Sequence, residues 1–579
     1  MGSGQVLLTK RPTERSHSGD ETTRRLCAGV YFDREFRDLV VHRVVTDFRH
    51  RVPPSYGFDL AAVAVHAWRA WRLDALQHAC VVSVLIVTAV LSPSVAITAL
   101  CAAGQLRLAG RLVRLAPEVL AQKARMRIDH FLHRAPSPKQ LDHQDLAERV
   151  RALKLASGGV ILLVVVPVVL AGAEGTPFGT VTVWAAAVLL LIAAAIAGTA
   201  AARHRFVVRT QRPGRPRSAW LGRRLRAIEN QQDETVVIYR RPPPKPDPEA
   251  APRVAEPDDE PGMFVGSGEL VHRWLPPLTV QLLRPRDSPL QDMAAPDDVA
   301  RREHVEPPFQ AHELVDYLRR KMPRIGHRSD PIRLPGYKVK DRVYVAAADV
   351  PSVRDQMAAG DRPGTLNGII NAPDAPLQHF LEIRVTSSGE LATTAYLRVT
   401  VKGRFLSLDF AACALTRTPD DYELHARLAS DGRSALLRSA LGGARHLPAE
   451  LTQAWHLVKA PGVLLGTWRA RRAPVESPLA GPQASIREEK AADWERSTLD
   501  KPTILDHMKI LEGHLLKLTE DFLRDHDVDT SDFEKRAETI ISANVLNMGH
   551  MDISNSAVGP NSQVNQNGTT APAPQGAQQ

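Results

Sequence analysis

The chain has 579 residues, 24% of them charged, and a formal net charge of +10. That length excludes a single small module, and that charge excludes a chain made only of membrane spans. The four cysteines, Cys27, Cys80, Cys101 and Cys413, stand far apart with no CxxC, which argues against a disulfide framework or a zinc site and suits a reducing cytoplasm.

Residues 1–25 are polar and read as disordered. They lack the apolar core of a signal peptide, and Gly2 has no Ser or Thr at the sixth position to favour myristoylation. Residues 26–154 read as amphipathic helices around an apolar segment. Phe32, Phe36, Leu39, Val40, Val44 and Phe48 recur at helical spacing before Pro53 and Pro54. A second helix is expected from Asp59. Its Trp68 and Trp71, beside Arg69 and Arg72, suit a headgroup layer, and a packed pair of tryptophans reads equally well. The uncharged run 79–104 is split by Ser92-Pro93-Ser94. It reads either as one kinked span or as a re-entrant helical hairpin with arms too short to cross a bilayer. Arginines on both flanks favour the hairpin. The stretch 105–134 is a basic amphipathic pattern suited to an anionic membrane surface and equally to packing on the soluble domain.

Residues 155–202 form the predicted transmembrane hairpin. Its arms of 19 and 23 residues carry no charge, and as helices they would measure about 28 and 34 Å, against a hydrocarbon core of about 30 Å. Positive flanks place both ends in the cytoplasm. Residues 203–262 follow as an Arg-rich juxtamembrane segment and a proline-rich spacer. Arg203, Arg205, Arg209, Arg212, Arg215, Arg217, Arg223, Arg224 and Arg226 are the expected ligands of anionic lipid. Nucleic acid is not expected, because no recognition fold or stacking platform accompanies the arginines.

Residues 263–473 read as a cytoplasmic α+β domain, with a helix over 309–322, a strand over 338–347 and three alternating strands between His379 and Leu415. A linker is expected over 474–502. Ile504, Met508, Leu511, Leu515, Leu518 and Phe522 then step by 4, 3, 4, 3 and 4, the spacing of a coiled-coil seam, which assigns 503–525 to oligomerisation. A helix packed on its own domain is the alternative. Residues 526–579 are an Asn/Ser/Gly-rich tail in which Ile553, Val558 and Val564 suggest short β turns.

No catalytic, cofactor or metal set emerges. Val265-Gly266-Ser267-Gly268 lacks the GxSxG spacing, and no phosphate-binding glycine loop or HExxH is present. Asp525, Asp527 and Asp529 imitate an EF-hand opening, but Thr530 and Arg536 stand where glycine and glutamate are needed.

Leu26-Cys27-Ala28 with Phe36, the Val52-Pro53-Pro54-Ser55-Tyr56-Gly57 turn and Phe264 to Gly268 through Trp274 resemble a group of actinobacterial integral membrane proteins over residues 26–425. In architecture the chain is similar to the membrane proteins (CisA-like) that accompany streptomycete contractile injection systems. That resemblance implies recruitment of a large cytoplasmic particle, through its baseplate, to the membrane, with a part in firing and cell death. The expected protein is therefore a non-enzymatic, multi-pass adaptor of the cytoplasmic membrane. Its expected partners are anionic lipids, a large cytoplasmic complex and further copies of itself. An oligomerising, membrane-disrupting effector and an enzyme housed in the α+β domain are the alternatives.

Overall fold

Short capping signals set the helices of the N-terminal half. The computed structural model describes residues 17–131, most of 151–210, 221–239, 263–285, 301–326 and, with short gaps, 334–547. Helix α1 (His17–Phe32) begins inside the segment expected to be disordered. Asp33 then breaks the chain, its side chain accepting from the Phe36 N–H at 2.9 Å to start α2 (Arg34–Val40), which continues as one π turn to Val45. Asp59 caps α3 (Leu60–Leu91) in the same way through the Ala61 N–H.

The break at Ser92-Pro93 is complete. Ser92 is extended, as a residue before proline should be, and Pro93 opens α4 (Pro93–Phe131). The run 79–104 is therefore not one kinked helix, but its arms, expected to be too short to cross a bilayer, are the ends of two long helices. Helix α5 (Phe178–Thr210) is the second arm of the long hairpin. The described residues of Ser157–Gly172 are helical as well.

After α6 (Gly222–Gln231), the chain builds a curled seven-stranded sheet. Its strands are β1 (Val236–Tyr239), β2 (Glu269–Arg273), β3 (Leu278–Gln281), β4 (Lys338–Ala346), β5 (Gln378–Ser387), β6 (Leu391–Lys402) and β7 (Phe405–Leu415). The order is β1-β4-β5-β6-β7-β2, with β3 on the same edge of β7 as β2; only β1 pairs in parallel. The strand reading of 338–347 and of the three-strand run holds. However, β1 comes from the segment assigned to the juxtamembrane spacer. The proline-rich stretch itself lies outside the described residues.

One sheet face is covered by α7 (Ala311–Lys321) and by two C-terminal helices, α13 (Lys501–Asp525) and α14 (Ser531–Asn547). This corrects two expectations. The heptad stripe is an intramolecular face: Ile504, Met508, Leu511, Leu515 and Phe522 are buried among sheet residues, with Leu518 packed beside them. The start of the tail is helix, not β turns, because Phe533 and Ala537 bury against the same core; Ile553, Val558 and Val564 lie outside the described residues. The 474–502 linker is corrected too, since Ser485, Ile486 and Arg487 are fully buried. Between β4 and β5 lie α8 (Val350–Ala359) and α9 (Pro363–Ile370), and three helices follow β7: α10 (Arg433–Arg445), α11 (Leu447–Gln453) and α12 (Ala460–Arg472).

Candidate membrane-facing site

The apolar arms leave their outer surfaces uncovered. On α3, Ile86 and Val87 are each 57% exposed and Leu91 is 80% exposed; on α5, Val183 is 68% and Leu190 71% exposed. Helices α3 and α5 are both long and apolar enough to cross a membrane. Inward contacts use small residues. Ala99, Ala171 and Ala185 meet Val95 and Val181 near the arm tips, while Val81, Ala103, Ile192 and Ile196 meet nearer the base. Small side chains let helix backbones approach where lipid gives no hydrophobic drive.

At the base, where charge resumes along both helices, a polar knot joins four elements. Asp74 on α3 receives Arg203 of α5 at 2.8 Å and Arg37 of α2 at 3.2 Å. Glu450 on α11 receives Arg34 at 2.5 Å and the Gln77 amide at 2.6 Å. Thr199 and Arg203 both donate to the Gln77 carbonyl oxygen. Burial alone would raise the Glu450 carboxyl, but the His78 hydrogen bond and the charges of Arg34 and Arg203 overcome it and hold it at about 2. Asp74, His78 and Glu450 bring potential ligand atoms within 4.8 Å of one another. Three guanidiniums already face these two carboxylates, so a divalent ion would add charge to a cationic set. The arrangement is an ion-pair knot.

From Asp74 to Leu91, α3 measures about 27 Å, and the polar side chains at the start of that stretch, Asp74, Gln77 and His78, are buried in the bundle.

The predicted lipid-contacting arginines divide. Arg205, Arg209, Arg223 and Arg226 are exposed. Arg203 is spent in the knot, and Arg224 is 4% exposed with its Nε donating to the Val44 carbonyl. Those two are corrected from surface to interior. Arg212, Arg215 and Arg217 lie outside the described residues. Trp68 is 1% exposed and stacks on Trp71 at 5.0 Å, so the pair packs the helical core rather than a headgroup layer.

A second polar cluster locks the helical unit to the sheet. The Tyr56 hydroxyl donates to Glu382 at 3.1 Å and lies 2.7 Å from the Tyr396 hydroxyl, while Arg342 Nε donates to Glu382 at 2.7 Å. Arg487 donates to the carbonyls of Tyr56 and Glu390. In the Phe264–Gly268 turn, Gly266 and Gly268 take φ of +100° and +96° and both donate N–H to Glu488 Oε1, at 2.6 and 2.8 Å. A Cβ at Gly268 would fall 2.0 Å from the Ala414 carbonyl oxygen, so only glycine fits. Burial pushes the Glu488 carboxyl up to about 7 despite those donors. A cleft of about 280 Å³ opens beside it. The oxygen is already held by two N–H groups, which makes Glu488 a clamp on the turn. These motif residues, read in the sequence as family marks, are the joint between the two halves.

Residues 277–555 match the family model described as the AbeC-like domain. The AbeC-like region is just under half of the chain. It runs from the edge strand β3 through β4 to β7 and the two closing helices, in keeping with their shared core. It overlaps the expected likeness over 26–425 only from residue 277, and it takes in the C-terminal helix that the sequence set apart as an addition. No curated protein and no solved structure matches the chain.

Proposed function

We propose that the protein is a non-enzymatic membrane adaptor. The observation that carries this reading is the uncovered apolar surface of α3 and α5 together with their rigid base. Two helices of spanning length leave Val183, Leu190 and Leu91 bare, and the same helices are tied by Asp74, Arg203 and Glu450 to the unit that bears the sheet. An anchor attached in this way holds the AbeC-like region at a fixed position against the bilayer instead of on a loose tether. Both hairpins have their bases in the cytoplasm, where the positive flanks belong. The cargo is a large cytoplasmic assembly, and the architectural resemblance makes a contractile injection particle the one to test. The heptad stripe is committed to the sheet core, so the cargo surface lies elsewhere.

The disrupting-effector reading is less well supported, because the Ile196 and Ala200 side of the small-residue stretch is already covered within the chain, which leaves Ala194 and Gly198 as its exposed small residues. Gly443 of α10 sits against Ala200 and Ile196 so closely that a Cβ would approach the Ala200 Cβ to 2.6 Å.

The test is extraction of cell membranes with alkaline carbonate. Full-length protein is expected to stay in the pellet, and a chain lacking both 79–104 and 155–202 to be released. Cysteines placed at Ser92 and at Thr176 should react with an impermeant maleimide only from the outer side. Release of the intact protein by carbonate would refute the anchor. Purification of pelleted protein in mild detergent should then retain the particle, and loss of the particle with the anchor intact would refute the cargo.

A further inference from the structure

The segment 433–472 differs from the rest of the sheet-bearing half. Elsewhere on that half, exposed large apolar side chains stand singly, as they do on ordinary surfaces. Here they cluster. Helix α10 presents Leu437 (62% exposed) and Leu441; the turn 454–459 presents Trp455 and Val458, the latter 81% exposed. Helix α12 adds Leu464, Leu465 and Trp468, each about half exposed.

Charge on this segment is one-sided. Arg433, Arg438, Arg445, Lys459, Arg469, Arg471 and Arg472 are all exposed, and its single acid, Glu450, is buried in the knot. Cations also lie over the tryptophan faces: Lys459 Nζ is 5.4 Å from the Trp455 ring centre and Arg472 is 3.9 Å from that of Trp468. Apolar side chains rimmed by cations, with tryptophan between them, match the layered chemistry of a bilayer surface of negative charge.

Position supplies the third argument. Helix α10 packs on α5 near Ile196 and Ala200, where Ser439 donates to the Ala200 carbonyl. Thr452 of α11 accepts from Arg107 of α4. Helix α12 packs on the N-terminal helical unit, with Gly466 on Thr46. The segment thus wraps the base of the arms at the level where they turn from apolar to charged.

We propose that residues 433–472 form a collar that embeds in the headgroup layer of an anionic bilayer, taking over much of the lipid contact expected of residues 203–226. The proposal rests on the membrane reading above. The collar fixes the depth and tilt of the sheet unit, because three short amphipathic elements around one base resist rocking as the spans alone do not.

The test uses full-length protein with Cys80→Ser, the exposed cysteine, reconstituted into phosphatidylcholine vesicles with and without phosphatidylglycerol. An environment-sensitive fluorophore is placed singly at Leu464→Cys in the collar, Val183→Cys in an arm and Asp374→Cys on the sheet. The collar label is expected to shift to the blue and to be quenched by nitroxides near the headgroups. The arm label should be quenched by deep nitroxides, and the sheet label by aqueous iodide alone. Replacing Arg469, Arg471 and Arg472 by Gln together should sharply reduce the shallow quenching at 464 and leave position 183 unchanged. Iodide access at 464 with lipid quenching at 183 overturns the collar and spares the anchor. A label at 464 shielded from both quenchers also overturns it, in favour of a protein partner or a second copy. Lipid quenching at neither position removes the anchor and the collar together.

Discussion

Helices α13 and α5 are both long, and both carry regularly placed leucines and isoleucines, yet they meet opposite surroundings. Helix α13 confines its apolar residues to one stripe and buries it: Ile504, Leu511 and Leu515 are each at most 1% exposed. Helix α5 is apolar all round and buries only one line, Val181, Ala185, Ile192, Ile196 and Val207. What separates them is the far face. Acids, lysines and histidines fill it on α13, so water is a good solvent there. On α5 from Phe178 to Ala202 there is no charged residue, and a helix apolar on every side is stable only inside protein or lipid.

The sharpest way to break this comparison is to put the same charge on each helix. Leu515→Asp is expected to abolish cooperative folding of the sheet unit, since a buried unpaired carboxylate costs more than about 4 kcal/mol. Protease resistance of residues 263–547 would report it. Leu190→Asp should leave that resistance within about 0.5 kcal/mol of the parent, while weakening membrane insertion by about 3 kcal/mol. If the two variants lost stability equally, α5 would be a core helix and the contrast would collapse.

These fates were only partly legible in the sequence. Length and lack of charge reveal an apolar arm without any partner being known, and alternation reveals strands such as β6 for the same reason. A step of 3.5 residues is ambiguous: it fits a coil, and it fits a helix laid on a sheet, as Met508 and Phe522 are. Which surface accepts the stripe is a tertiary fact. The same holds for Arg203 and Arg487, whose partners lie 129 and 97 residues away in sequence. An arginine near the end of a span looks like a lipid ligand until its acid is found. The collar is hard to read in the sequence because no piece of it is long: its apolar residues fall on three elements of 13, 6 and 13 residues.

The polar knot makes the comparison testable at the base of the arms. Glu450→Ala would leave Arg34, Gln77 and His78 without their acceptor, and breaking a buried pair from one side costs about 3 to 5 kcal/mol. Urea unfolding in detergent micelles should show that loss, and Glu450→Gln should recover part of it. The acid limb offers an independent check. The folded carboxyl sits at about 2 against an ordinary value of 4.5, so folding releases no proton above that ordinary value. The contribution is complete above pH 4.5 and is lost as pH falls through about 2. Glu450→Ala should therefore flatten the stability profile below pH 4.5, and an unchanged acid limb would place the titrating group elsewhere.

Glu488 is expected to give the smallest effect and the opposite sign. It too is a buried glutamate, but its donors are the backbone N–H groups of Gly266 and Gly268 instead of guanidiniums. Burial dominates, and the carboxyl rises to about 7 from 4.5. Folding then takes up a proton, so its contribution is complete below pH 4.5 and is lost as pH rises through about 7. Glu488→Gln keeps an oxygen for both glycine donors and removes the charge that burial opposes. The variant should match the parent near about pH 4 and exceed it by about 1 kcal/mol or more near about pH 8, read as a shift of the urea midpoint. A parent that gained stability between those values would mean that the glycine turn stabilises the carboxylate after all. The two glutamates would then follow one rule, in which any ring of donors, N–H or guanidinium, suffices to hold a buried charge.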